Sequence, residues 1–279
     1  KMSSEKQVEG GSAPAEGGQK REYFSSRLAF YLAAVGSAVG FGNVWRFPQL
    51  AADYGGGAFL IPYLMALFLI GIPILFLELM LGQYYQTGAV GSFGSLHARL
   101  RGVGLSSIFC AFVLVGYYSM LIAWVIHAFF DSFGDDNPWK QEGTTGDSAS
   151  GYFFNDIIGM STIGGRPCMR PTRIVGANVG YSALSWFIVF LCLAWGTKWV
   201  GRITYFTMGL PVIILFVFLG RALTLPGSED GVKLYIGEWD LSVLSSQPAV
   251  WSEAVSQIFF SLGLTSGIMT AYGSHVDRS

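Results

Sequence analysis

Apolar residues in this chain run in long blocks separated by short polar stretches. A helix needs about 20 largely apolar residues to cross a bilayer. Six blocks come close to or exceed that length: Leu28–Leu50, Ala58–Gly82, Leu105–Phe133, Gly180–Thr197, Ile203–Thr224 and Val250–Tyr272. The pattern predicts an all-α integral membrane fold with six spanning helices. The first and last blocks differ from the others, because small and polar residues interrupt them near their centres.

Ahead of the first block, residues 1–27 are rich in Gly, Ser, Glu, Gln and Lys. Such a composition has too little apolar surface to bury, so a disordered tail is expected. No short apolar run with a cleavage site leads the chain, which speaks against a signal peptide. Basic residues set the orientation. Lys20, Arg21 and Arg27 precede the first block, Arg99 and Arg101 follow the second, and Lys198 and Arg202 follow the fourth. These segments are assigned to the cytoplasm. The long 134–179 loop, with Asp135, Asp136, Asp147 and Asp156, then falls outside. It has no Asn-x-Ser/Thr sequon, so N-glycosylation is not expected there.

Composition agrees with a membrane protein. The chain is 52% hydrophobic and 13% charged, where a soluble domain carries about 25% charged residues. A net charge of −1 gives no general attraction to nucleic acid. Cys110, Cys168 and Cys192 form no disulfide framework, and His97, His127 and His275 are too scattered for a metal cluster.

The candidate chemistry lies in the two interrupted blocks. The first reads Gly36-Ser37-Ala38-Val39-Gly40-Phe41-Gly42-Asn43-Val44-Trp45-Arg46. Gly36 and Gly40 alone fit two readings, close helix packing or a break lining a site. Asn43 and Arg46 favour the site, because an amide or a charge inside a membrane is a functional residue by default. The last block carries Ser261, Gly263, Thr265, Ser266 and Gly267. Breaks in the first and sixth helices, five helices apart, are the arrangement of inverted-repeat transporters. Unwinding frees carbonyls that suit a cation and N–H groups that suit a carboxylate. Glu78, alone in an apolar block, is read as a partner for backbone groups freed at a break.

At these residues the chain resembles the neurotransmitter:sodium symporter family. The likeness runs through Gly40-Phe41-Gly42-Asn43-Val44-Trp45-Arg46-Phe47-Pro48 and Gly55-Gly56-Gly57-Ala58-Phe59-Leu60-Ile61-Pro62-Tyr63. It continues through Gly71-Ile72-Pro73, Glu78, Gly82-Gln83, Tyr117-Tyr118 and Gln257-Ile258-Phe259-Phe260-Ser261-Leu262-Gly263, covering the chain from Arg21 onward. The resemblance implies the first part of a leucine-transporter-like fold with helices 1 and 6 broken. It implies sodium-coupled symport of an amino acid or a related zwitterion, and no enzymatic activity. It places substrate against Ser37, Ala38, Gly40, Phe41, Gly42, Leu114, Tyr118, Phe260, Ser261, Gly263 and Ser266. A first sodium site would use Ala38, Asn43 and Ser261, and a second Gly36 and Val39. Chloride, in members that need it, would lie at Tyr63, Gln257 and Ser261. Arg46 and Phe260 would form the outer gate, with Arg46 facing an acid of a tenth helix. Arg21 and Phe24 would form the cytoplasmic gate, Phe24 standing where tryptophan is usual.

Two departures from the family pattern bear on the substrate. Gly40 stands where monoamine transporters carry aspartate, which favours a substrate with its own carboxylate. Ser266 replaces a frequent aromatic wall. The family has about twelve helices, so these 279 residues are expected to be part of a longer transporter and not to transport alone. The alternative is a truncated membrane protein that associates with full-length relatives. Expected partners are the amino-acid substrate and the bilayer, with a homo-oligomer left open. The plasma membrane and a cytoplasmic N-terminus are the expected location.

Overall fold

A computed structural model describes residues 23–24, 26–40, 42–134, 146–163, 166–168, 174–195 and 197–277. Within these, the side chains of residues 146–147, 161–163, 166–168, 197–202 and 204 are not described. The expected tail over 1–22, Arg21, Phe41 and the Cys168 side chain therefore lie outside the description.

Helix α1 spans Arg27–Ala38. Its N-cap is Ser26, whose hydroxyl accepts the Ala29 N–H at 3.1 Å and satisfies an otherwise unpaired donor. After Ala38 the chain bends by 49° and resumes as α2, Gly42–Asp53. The first five residues of α2, Gly42–Arg46, are wound as a π turn, a form common at functional sites. Pro48 lies in the first turn of the regular part, where its missing N–H would be unpaired in any case.

Helix α3 covers Gly57–Tyr85. Pro73 cannot donate to the carbonyl four residues back, and the adjoining Leu67–Gly71 stretch widens to a π turn. Helix α4 (Ala89–Leu96) leads into α5 (Ala98–Asp131). Then come α6 (Gly146–Tyr152), a further π turn (Phe153–Ile157), and the strands β1 (Ser161–Ile163) and β2 (Arg166–Cys168). The strands pair antiparallel, Ser161 opposite Cys168. Helices α7 (Gly176–Leu193) and α8 (Thr197–Leu223) follow, then the short α9 (Ser228–Val232) and α10 (Val243–Ser246). The described chain closes with α11 (Ala249–Leu262) and α12 (Ile268–Gly273).

The expected count is six spanning helices, the first and sixth broken. Among the described residues four helices are long and apolar enough to cross a membrane, or five if α1 and α2 count as one bent span. The sixth expected span is two helices of 14 and 6 residues. Between them Gly263, Thr265 and Gly267 all take positive φ (61°, 62° and 76°), which no right-handed helix can contain. The β1–β2 hairpin is a small departure from an all-helical architecture.

The interior sits where α2, α3 and α11 meet. Leu50, Ala51, Phe59, Val250 and Ala254 form one buried cluster there, and Ala66, Ile258 and Leu264 a second. Elsewhere the long helices present apolar side chains outward: Phe112 on α5 is 76% exposed and Phe216 on α8 69%. A water-facing surface of that kind would be a large exposed apolar patch, whereas lipid accepts it. Helix α12 docks tightly on α3. A Cβ at Gly82 would overlap the Thr270 carbonyl and come within 2.9 Å of Ser274 N, so only glycine permits this backbone contact.

Candidate functional site

The two helix interruptions face each other. The Asn43 side chain, in the π turn that opens α2, bridges them. Its Nδ2 donates to the Ala38 carbonyl at 2.8 Å, and its Oδ1 accepts the Ser261 hydroxyl at 2.7 Å. Asn43 Oδ1 and Ser261 Oγ thus meet on one side of the amide, and the Ala38 carbonyl lies against its nitrogen. The carbonyls of Gly36, Ser37 and Ala38 belong to the last turn of α1.

A cavity of about 340 Å³ opens beside this junction. Ser37, Ala38, Gly40 and Gly42 line it from α1 and α2, and Leu114 and Tyr118 from α5. Phe260, Ser261, Gly263 and Ser266 line it from the α11–α12 side, with Gly36 and Val39 at its margin. The expected substrate residues are thus gathered around one space, Phe41 excepted as undescribed. At Gly40 a Cβ would stand 3.2 Å from the Tyr118 hydroxyl, so any side chain there would crowd that group. At Gly42 a Cβ would meet the Phe260 ring at 2.5 Å, which lets the ring lie against bare backbone. Ser266 is 8% exposed, and its hydroxyl donates to the Gly263 carbonyl at 2.5 Å, inside its own turn. Ala111 and Val115 complete the α5 wall. They escaped the sequence reading, although Ala111, Leu114, Val115 and Tyr118 have the spacing of one helix face.

At the end of the π turn that opens α2, Arg46 reaches α11. It donates to Glu253 Oε2 at 2.8 Å, Gln257 Oε1 at 3.2 Å and Ser256 Oγ at 3.4 Å. Gln257 is fully buried, and its Nε2 donates to the Gly42 carbonyl at 2.8 Å. Glu253 was not anticipated from the sequence. Its signal was the four-residue spacing to Gln257, which puts both on the helix face opposite Arg46. A smaller apolar cavity of about 190 Å³ lies here, lined by Trp45, Trp124, Phe153 and Phe260 among others. Phe260 borders both cavities and separates them.

The expected opposite gate is described only at Phe24. Its N–H donates to the His275 carbonyl at 3.1 Å, and its ring packs edge-on against Phe30, Tyr272 and His275. Glu78 behaves as the sequence led us to expect. One oxygen accepts the Thr265 N–H at 2.6 Å, in the stretch between α11 and α12. Among the described residues no group of three metal-ligating side chains occurs, and Cys110 and Cys192 are free.

Two interrupted helices, a polar junction between them and an apolar surround define a helical integral membrane protein with a cavity beside that junction. Residues 21–279 match the family model described as the Sodium:neurotransmitter symporter family, and the chain belongs to that family. It is 35% identical over 280 residues to the human inactive sodium-dependent neutral amino acid transporter B(0)AT3, covering 92% of this chain and 42% of that protein. It is 35% identical to human sodium- and chloride-dependent transporter XTRP3, with 93% and 45% covered. Among solved structures it resembles MhsT in complex with L-phenylalanine, with TM-score 0.75 and 31% identity over 92% of this chain and 54% of that one. The chain spans less than half the length of these two curated relatives. The family is one of symporters and not of enzymes.

Proposed function

We propose that this chain is the substrate- and sodium-binding part of a sodium-coupled amino-acid symporter. The observation that carries this reading is the Ala38–Asn43–Ser261 junction beside the cavity. Three oxygens from two interrupted helices suit a small hard cation, which prefers oxygen ligands. Sodium would be held by Ala38, Asn43 and Ser261, and a second sodium by the carbonyls of Gly36 and Val39. The substrate amine would face the carbonyls at the end of α1, and its carboxylate the Tyr118 hydroxyl and the backbone N–H groups that open α2. The space kept at Gly40 supports a substrate that brings its own carboxylate. The naming of MhsT with bound L-phenylalanine supports an amino acid as the class.

Chloride at Tyr63, Gln257 and Ser261 is part of the same proposal. Gln257 would have to turn its N–H from the Gly42 carbonyl to face the anion. Arg46 and Phe260 would close the outer route, and Arg21 and Phe24 the cytoplasmic one. On this reading α1–α2 and α11–α12 are the two broken spans, which gives six in all. The N-terminus is cytoplasmic and the membrane is the plasma membrane. A homo-oligomer is compatible with this reading.

The test is radiolabelled amino-acid uptake by the complete protein in proteoliposomes under an inward sodium gradient. Uptake should require sodium and fall sharply in Asn43→Ala and Tyr118→Phe. Uptake that survives replacement of sodium by choline would end this reading. The second reading, a non-transporting relative, is favoured by the description of B(0)AT3 as inactive. It would be supported by sodium-independent absence of uptake together with co-purification of a full-length family member.

A further inference from the structure

At the C-terminal end of α5 one buried amide joins three segments. Asn178 of α7 is buried, and its Nδ2 donates to the Ile157 carbonyl at 2.7 Å. Its Oδ1 therefore faces the His127 ring of α5, where Nδ1 lies 3.0 Å away. A neutral imidazole with its proton on Nδ1 completes that bond, so the junction is satisfied without a net charge. Ile157 is itself fully buried. A second anchor holds the same stretch a few residues earlier, where the Tyr152 hydroxyl donates to Asp131 Oδ2 of α5 at 2.8 Å.

Phe153 sits between these two anchors. It opens the Phe153–Ile157 π turn, and its carbonyl accepts the Ile158 N–H at 2.9 Å, which closes the turn around Ile157. Holding Ile157 therefore holds Phe153 one turn away. The Phe153 ring packs against Trp124 of α5 at 6.5 Å and against Trp45 of α2 at 6.0 Å. Trp45 is 52% exposed and lies in the Gly42–Arg46 π turn, which also carries Asn43. A 49° bend separates that turn from α1, so no unbroken helix carries its direction over. Packing from a neighbouring segment then bears on where the turn settles.

We propose that Asn178 is a positioning residue for the first interrupted helix. Through Ile157 and Phe153 it braces Trp45, and with Trp45 the turn that places Asn43. None of Asn178, Ile157, Phe153 and Trp45 lines the cavity beside Asn43, so the influence travels through the backbone of α2. The brace rests on geometry alone. Its effect on sodium rests on the symporter reading above.

The test is hydrogen exchange on the complete protein in lipid nanodiscs, reading protection of the Val44–Arg46 amides. Asn178→Ala and Phe153→Ala should each lower it roughly two- to tenfold, the range that one aromatic pair contributes. The double variant should lose no more than Phe153→Ala alone, because both act along one path. If Asn178→Ala does not fold, Tyr152→Phe loosens the other anchor by a single hydroxyl and is read in the same way. Unchanged protection in the α2 turn, or losses that simply add, overturns the proposal. In uptake by the complete protein, both single variants should raise the sodium concentration for half-maximal uptake by a similar factor and change the maximal rate less. A sodium dependence unchanged in both overturns the proposal as well. Exchange needs no transport, so a protein that exchanges as expected but takes up nothing refutes the symporter reading and leaves the brace standing.

Discussion

Asn43 Oδ1 and Ser261 Oγ lie 2.7 Å apart although 218 residues separate them in sequence. That single contact joins the two helix interruptions. If sodium binds as proposed, Asn43→Ala removes a ligand oxygen, and it leaves the Ala38 carbonyl without its donor. A bond to a charged group contributes about 1.5–3 kcal/mol, and about 1.4 kcal/mol corresponds to tenfold in affinity. The sodium concentration for half-maximal uptake by the complete protein should therefore rise tenfold or more. Ser261→Ala should shift it in the same direction. The check is sodium titration of uptake at fixed substrate.

Arg46 is held by two partners of unequal weight. The Glu253 pair is 35% exposed on each side, and half-exposed pairs contribute only about 0.2–1 kcal/mol. Gln257 is fully buried and engages both the Arg46 guanidinium and the Gly42 carbonyl. Leaving such groups unpaired costs about 1–3 kcal/mol. Gln257→Ala should thus destabilise the protein more than Glu253→Gln. Only the effect of Glu253→Gln should shrink in high salt. Denaturant or thermal unfolding in detergent at low and high ionic strength measures both.

Glu78 holds the strained stretch between α11 and α12. Thr265 has φ 62°, a costly conformation for a β-branched residue, and its N–H is taken by the Glu78 carboxylate. Glu78→Gln keeps an oxygen in place and should retain most of the stability. Glu78→Leu should lose about 1–3 kcal/mol, because a buried N–H is left without an acceptor. If both variants melted together with wild type, this contact would have no role in fixing the break.

Much of this was legible in the sequence, and the reason is local. Glycines, an asparagine and an arginine inside an apolar block violate what lipid requires of a helix, so Gly40, Asn43 and Arg46 stand out on their own. Lone Glu78 stands out in the same way. Block length predicted the four long spans, and the small and polar residues of Val250–Tyr272 marked an interruption there, but neither showed that three positive-φ residues leave α12 only six residues long. Glu253, Phe153 and Asn178 were missed because each is ordinary in its own segment. Each acquires a role only from partners more than 20 residues away, such as Arg46 for Glu253 and Ile157 for Asn178. Gly82 was quoted only as part of the family likeness, since nothing near it reveals the Thr270 backbone that lies against it.

Tyr152 lies outside the long helices, and its phenol is pushed up to about 12. Burial is the first cause, and the hydrogen bond to Asp131 and the charges of Asp131 and Asp156 add to it. The unfolded value is about 10. A group whose folded value stands above its unfolded one stabilises the fold fully below pH 10, and that contribution disappears as pH rises through about 12. Wild type should therefore lose stability over this alkaline window more steeply than Tyr152→Phe, which has no phenol to ionise. Tyr152→Phe should be slightly less stable at neutral pH, where the bond to Asp131 is intact. Phenolate absorbance followed against pH in both proteins, alongside unfolding at each pH, checks this. A tyrosine titrating at about 10 that vanishes in the variant would contradict it.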